Sequence, residues 1–188
     1  MSGPVWQRQS RLLVPAVFLI LVVLVAVFAP SAGAQQGQHN VVPYDDYLVS
    51  STRAYRQETW RWQKLMAKHR TPAGRGELDA SHDYRRWVNR LWKNRAASAR
   101  RQAHNPPRYQ QWMCIHRYEG GWRLIDGPYY GGLQMNMEFQ RMYGSDLLRT
   151  KGTANRWTPI EQIWIAERAY GELGYQPWPN TARMCGLL

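Results

Sequence analysis

Residues 112–136 read W-M-C-I-H-R-Y-E-G-G-W-R-L-I-D-G-P-Y-Y-G-G-L-Q-M-N. One acid, Glu119, closes a short helical pattern in which Trp112, Ile115 and Tyr118 or Glu119 share a face. Gly120-Gly121 follows it, and glycine both resists a helix interior and favours a left-handed stop. Glu119 is therefore expected at a helix C-terminus, projecting into whatever cleft the next segment builds. The negative end of the helix dipole opposes a carboxylate there, and Tyr118 and Trp122 are expected to exclude water. In such a setting a carboxylic acid keeps its proton until a substrate takes it, which is general-acid chemistry.

The elements around Glu119 follow from local grammar. Asn105-Pro106-Pro107 marks a boundary, and a helix is predicted from about Pro107 to Tyr118. Asp126-Gly127-Pro128 is turn chemistry between Trp122–Ile125 and Tyr129–Leu133, which predicts a short β-hairpin. Gly131-Gly132 lets a backbone approach a neighbour closely. Asn136 caps a predicted helix ending at Gly144, and residues 145–157 read mostly as loop. Thr158-Pro159-Ile160-Glu161 is a capping box opening a helix to about Leu173, with Gly174 as its stop. Residues 175–188 read as a loop that returns Cys185 to the body.

Upstream, apolar residues recur at helical spacing over Tyr44–Arg70 (Tyr44, Tyr47, Leu48, Tyr55, Trp62, Leu65, Met66). Residues 71–78 break that helix, and a second runs from Asp79 or Ser81 to about Ala103. Its apolar stripe is Tyr84, Trp87, Val88, Leu91, Trp92 and Ala99, and its other face carries Arg85, Arg86, Arg90, Lys93, Arg100 and Arg101. Two amphipathic helices with a short breaker predict an antiparallel helical hairpin. Its basic face is read either as a solvated surface or as a foot on anionic wall polymer or lipid headgroups.

At the start, Arg8 and Arg11 precede an apolar run from Leu12 to Phe28, then Pro30 and Ala32-Gly33-Ala34. This is the pattern of a secretory signal cleaved after Ala34, with a retained membrane anchor as the alternative. The chain thus divides into a leader (1–34), a basic helical segment with linker (35–104) and a C-terminal domain (105–188). Export disfavours nucleic acid as the partner of a chain of net charge +12. It also permits a disulfide between the two cysteines, Cys114 and Cys185. Neither a C-x-x-C motif nor a set of metal-ligand spacings is present, so no cofactor or metal is expected.

Taken together, the ordered motifs resemble the catalytic domain of resuscitation-promoting factors, within the lysozyme-like transglycosylase superfamily. The resemblance rests on Trp112, Glu119, Gly120-Gly121-Trp122, Tyr129-Tyr130-Gly131-Gly132-Leu133-Gln134, Thr158-Pro159, Gln162-Ile163, Ala166-Glu167, Trp178-Pro179 and Cys185. It covers Trp112 to Leu188 and leaves out the helices at 44–103. It implies a mainly α, α+β fold: a lysozyme-like C-terminal domain with a small β-hairpin, preceded by a helical hairpin. It implies cleavage of the β-1,4 bond between N-acetylmuramic acid and N-acetylglucosamine in the glycan strands of peptidoglycan, with Glu119 protonating the glycosidic oxygen. Tyr130, Gly132 and Gln134 would line the cleft, and Trp122, Tyr129 and Trp157 would stack on sugar faces.

The nearby acids have local duties, Asp126 in a turn and Glu138 in a helix first turn, so one acid stands without a second. That favours a lytic transglycosylase, in which the muramyl C6 hydroxyl attacks the anomeric carbon to give a 1,6-anhydro product; a muramidase is the hydrolytic counterpart. The chain departs from the family in having Gly120 where Ser is usual, a shorter loop before Tyr129, and the first cysteine four positions earlier. Gly120 and the shorter loop leave open an alternative reading, a catalytically weak peptidoglycan-binding or signalling module. Other wall hydrolases are expected as partners. His116 lacks a partner cluster and is read as a satisfied histidine rather than a ligand.

Overall fold

The computed structural model describes residues 43–188. The leader and most of the linker, with the expectations placed on them, lie outside the described residues. The fold is mainly helical with one small antiparallel sheet, an α+β arrangement. Among the described residues six helices run in the order α1 (Tyr44–Leu65), α2 (His82–Ala103), α3 (Tyr109–Glu119), α4 (Met137–Lys151), α5 (Pro159–Leu173) and α6 (Pro179–Met184). Between α3 and α4 lie β1 (Ile125–Asp126), β2 (Tyr129–Tyr130) and β3 (Met135–Asn136), in the order β1-β2-β3.

Helix α5 is the hub. Its sequence Gln162–Glu167 is buried on every side, as is Ala169. The capping box forms as its residues predict: Thr158 accepts from the Glu161 backbone, and the Glu161 side chain accepts from the Thr158 N–H. Around α5 the main core gathers Trp112, Ile115, Leu133, Met135, Tyr143, Trp157, Ile163, Ile165 and Trp178.

Three local predictions are corrected. Helix α4 does not stop at Gly144 but kinks there and continues to Lys151, followed by a 3-10 turn at Ala154–Arg156. Gly144 is a packing glycine: a Cβ on it would lie 2.6 Å from the Trp157 ring. Residues 179–184 of the tail form α6 rather than loop, with Pro179 in its first turn. The sheet also gains a third strand at Met135–Asn136.

The largest correction concerns α1 and α2. They do not form an antiparallel hairpin; they run parallel. Asp45 meets His82, Thr52 meets Asn89, Trp60 packs edge-on against Trp92, and Lys68 reaches Gln102. Partner numbers rise together, which only parallel helices allow. A helix of 22 residues is about 33 Å long, and the 16 residues of 66–81 reach about 50 Å when extended. That connection runs back along both helices. Trp60 donates to the Thr71 carbonyl at 2.8 Å, Arg56 pairs with Glu77, and Arg85 donates to the Ala80 carbonyl at 2.9 Å.

Sequence periodicity misplaced parts of the arm's inner face. Tyr44, Tyr47, Tyr84 and Trp87 are 56, 53, 43 and 49% exposed. Thr52 and Thr59, which no apolar pattern marks, are buried in their stead. Each hydroxyl donates to the carbonyl one turn earlier, so burial leaves it satisfied.

Both helices aim their C-termini at the C-terminal body. Arg168 of α5 donates to the carbonyls of Lys64 and Leu65 at 2.8 and 3.0 Å, and Trp164 donates to Ala103 at 2.7 Å. A cation beside the carbonyl end of a helix is favourable. A second apolar cluster of Leu65, Met66, Ala103 and Trp164 seals the junction.

Glu77 fastens the returning segment. Burial works against its charge, but the Gly74 N–H, the Trp92 indole and the Arg56 guanidinium more than offset it and hold its carboxyl below the ordinary value of 4.5. A depressed folded-state value means stability that is present above pH 4.5 and lost as the pH falls through the lowered value. Glu77→Gln is therefore expected to melt at a lower temperature than the native chain at neutral pH. The gap should close as the pH is taken below 4.5, which thermal melts across a pH series will measure.

Candidate active site

Helix α3 is held at both ends. At its start the Arg108 N–H donates to Glu167 of α5 at 3.1 Å, the Trp112 indole donates to the same carboxylate at 2.7 Å, and the Arg108 guanidinium pairs with it. A carboxylate from another helix thus serves as the missing N-terminal cap. At its end Gly120 takes φ +127°, and a Cβ there would lie 2.6 Å from Leu124. Only glycine adopts that turn without strain. This turn leaves Glu119 as the last helical residue.

Glu119 is half-buried and opens onto a cleft of about 290 Å³. The other lining residues are Asp126, Tyr129, Gln134, Pro177, Trp178, Pro179 and Asn180. Thr181 of α6 donates its hydroxyl to Glu119 Oε1 at 2.7 Å. Among the described residues Glu119 makes no ion pair. Its expected neighbours are elsewhere: Tyr118 is 48% exposed, and Trp122 stacks on His116 at 3.8 Å. The apolar wall of the cleft is Trp178 instead, packed against Trp112 at 5.0 Å.

Gln134 carries two marks of a working residue. It is a non-glycine residue at φ +46°, and its amide nitrogen is buried without a hydrogen-bond partner. Strained backbone and an orphaned donor both cost free energy, and such features gather where a ligand is met. Tyr129 lies on the cleft, whereas Tyr130, expected to line it, is on the opposite face of the strand and packs on the core.

Besides Trp122 and Tyr130, which pack on His116 and the core rather than line the cleft, two further expectations fail. Trp157 is only 2% exposed and its indole donates to Gly152, so it offers no face to a sugar. Gly132 is buried with both backbone groups engaged: its N–H donates to Gln162 at 2.8 Å and its carbonyl meets His116 Nδ1 at 3.0 Å. A Cβ at Gly132 would lie 2.6 Å from His116, so its role is close packing. His116 is thereby satisfied, as read.

The sequence reading gave no role to Asn180, Thr181 or Pro177, which come from the tail. The signal for them was Cys185: the Cys114–Cys185 disulfide, with a separation of 71 residues, ties α6 to α3. In the chain-entropy model a loop of that size stabilises by about 4 kcal/mol. Asp126, read as a turn former, also faces the cleft. Glu138, exposed in the first turn of α4, is not part of its lining. Among the described residues no group of His, Cys, Asp and Glu suits a metal ion.

Buried Gln162 sets the loop that carries Gln134. Its oxygen takes the Gly132 N–H, and its nitrogen donates to the carbonyls of Trp122, Ala154 and Trp157 at 2.9, 2.9 and 3.2 Å. Gln162→Leu is expected to strand several of these groups, each costing about 1–3 kcal/mol. Melting should fall by roughly 10 °C, and hydrogen exchange at residues 131–134 should quicken.

The chain matches no family model and no curated protein.

Proposed function

We propose that this chain cleaves peptidoglycan glycan strands at the β-1,4 bond between N-acetylmuramic acid and N-acetylglucosamine, through a lysozyme-like C-terminal domain. The observation that carries the reading is Glu119: a half-buried carboxyl at a helix end, steadied by one hydroxyl and open to a cleft. The rest of the ordered motif from Trp112 to Cys185 supports it as well.

In this reading a glycan strand lies across β2 and the start of α6. Glu119 gives its proton to the glycosidic oxygen, and the bond to the anomeric carbon breaks as charge develops on the sugar. Thr181 fixes Oε1, which leaves Oε2 to hold and deliver the proton. Gln134 donates its free N–H to a sugar oxygen or amide carbonyl. Tyr129, exposed on the cleft, supplies flat apolar surface to a sugar face, and buried Trp178 backs the cleft wall. The muramyl C6 hydroxyl then attacks the anomeric carbon and returns its proton to Glu119, leaving a 1,6-anhydro end.

One observation favours a hydrolytic variant. Asp126 shares the cleft with Glu119, so a second carboxylate is at hand to stabilise charge or direct water. The product ends separate the two routes. Glu119→Gln is expected to lower the rate of wall digestion by about 10²–10⁴-fold while keeping the native fold. Mass spectrometry of the fragments is expected to show anhydro ends that persist in Asp126→Asn. Reducing ends lost in Asp126→Asn would assign hydrolysis, and undiminished digestion by Glu119→Gln would end the enzymatic reading.

A further inference from the structure

The positive charge of this chain is concentrated in the two-helix arm. Residues 43–105 carry fourteen Lys and Arg against six Asp and Glu, whereas residues 106–188 carry nine against seven. On α2 the exposed cations Arg86, Arg90, Lys93 and Arg100 follow one another at steps of four, three and seven. Those steps place them in one stripe on a single flank. Arg86 pairs with Asp83, but Arg90, Lys93 and Arg100 meet no acid among the described residues.

The distal end of the same arm exposes aromatic rings. Tyr44 and Tyr47 sit 6.3 Å apart, and Tyr84 and Trp87 sit 5.4 Å apart. Tyr44 joins Arg86 and Arg90 in lining a groove of about 330 Å³. Tyr44 also packs on His82 of α2 at 5.4 Å, but the inner face itself is filled by Leu48, Thr52, Val88 and Trp92, and all four rings stay 43–56% exposed. A stripe of cations meets any polyanion. Tyr and Trp beside it meet a partner that is anionic on its surface and apolar just beneath, which describes the headgroup layer of a lipid bilayer. The described chain begins at this same end, at Pro43, only 15 residues after the apolar run Leu12–Phe28.

From this we infer that the distal end and basic flank of the arm form a docking surface for an anionic lipid membrane. The cations on α2 contact phosphate headgroups, and Tyr44, Tyr47, Tyr84 and Trp87 seat at the interface. The arm lies on the bilayer rather than in it, because its apolar face is already spent between α1 and α2. Among the described residues no helix is long and apolar enough to cross a membrane.

The test is co-sedimentation of the full chain with vesicles of phosphatidylcholine alone and of phosphatidylcholine with roughly one-third phosphatidylglycerol. The native chain is expected to prefer the anionic vesicles, with the preference weakening as salt rises. The triple variant R86E/R90E/K93E is expected to lose that preference by about tenfold or more. Trp87→Ser with Tyr47→Ser is expected to weaken binding several-fold at unchanged charge. All of these side chains are exposed, so melting temperatures should stay native and exclude misfolding as the cause. The partition of Glu119→Gln should match the native chain, which keeps this result separate from catalysis. Native-like preference in the triple variant overturns the proposal. So does salt-sensitive binding to soluble polyphosphate that equals the vesicle binding and ignores the aromatic changes, for then the face recognises charge alone.

Discussion

A polar group that leaves water must find another partner, and α5 supplies such partners to α1, α2, α3, α4 and the loops packed on it. Gln162 satisfies the loop before β3 and the 3-10 turn, and Glu167 satisfies the start of α3. Trp164 and Arg168 satisfy the ends of α2 and α1. Each partner is fixed in direction as well as distance, so a helix buried on all sides orients its surroundings instead of merely filling space. The position of Glu119 is set at second hand: Glu167 fixes one end of α3, and the 11-residue helix carries that registration to the other.

The cleft is likewise assembled from segments far apart in sequence. Its floor comes from β2 and Gln134, its acid from α3 and its far wall from the tail. The disulfide and the Trp178 indole bond to Leu133, at 2.6 Å, hold that wall against the rest. Gly120 and Gly132 permit the close approaches, one by its backbone angle and the other by having no side chain. In this arrangement Thr181 takes the position beside the acid.

Much of this was legible in the sequence because the controlling interactions are local. The capping box at Thr158, the Asn136 cap and the Asp126-Gly127 turn each act within a few residues and appear as read. The glycine after Glu119 ends its helix, though in a more extended glycine-only conformation than the left-handed cap expected. What was missed was decided at long range. The periodicity of α1 and α2 gives helices but not their relative direction, which the returning segment and Glu77 determine. Apolar pattern counted Tyr44, Tyr47, Tyr84 and Trp87 as inward because a ring looks the same in sequence on either face. Trp157 and Gly132 were read as sugar-facing from their types, while burial assigns them to packing. Asp126 was read only for its turn, and its second position on the cleft depends on where the tail returns.

The parallel setting of α1 and α2 has a consequence for how the chain assembles. In an antiparallel hairpin the first contacts form beside the turn, between near neighbours in sequence. Here the facing pairs are distant, as with Trp60 and Trp92 or Asp45 and His82, which are 37 residues apart. No zipper can start at the connection. A long loop must close before any contact between the helices repays it, and such topologies fold slowly. The returning segment, clasped to α1 through Arg56 and to α2 through Trp92 by the one Glu77 carboxylate, lies antiparallel to both helices and holds that loop closed in the folded chain.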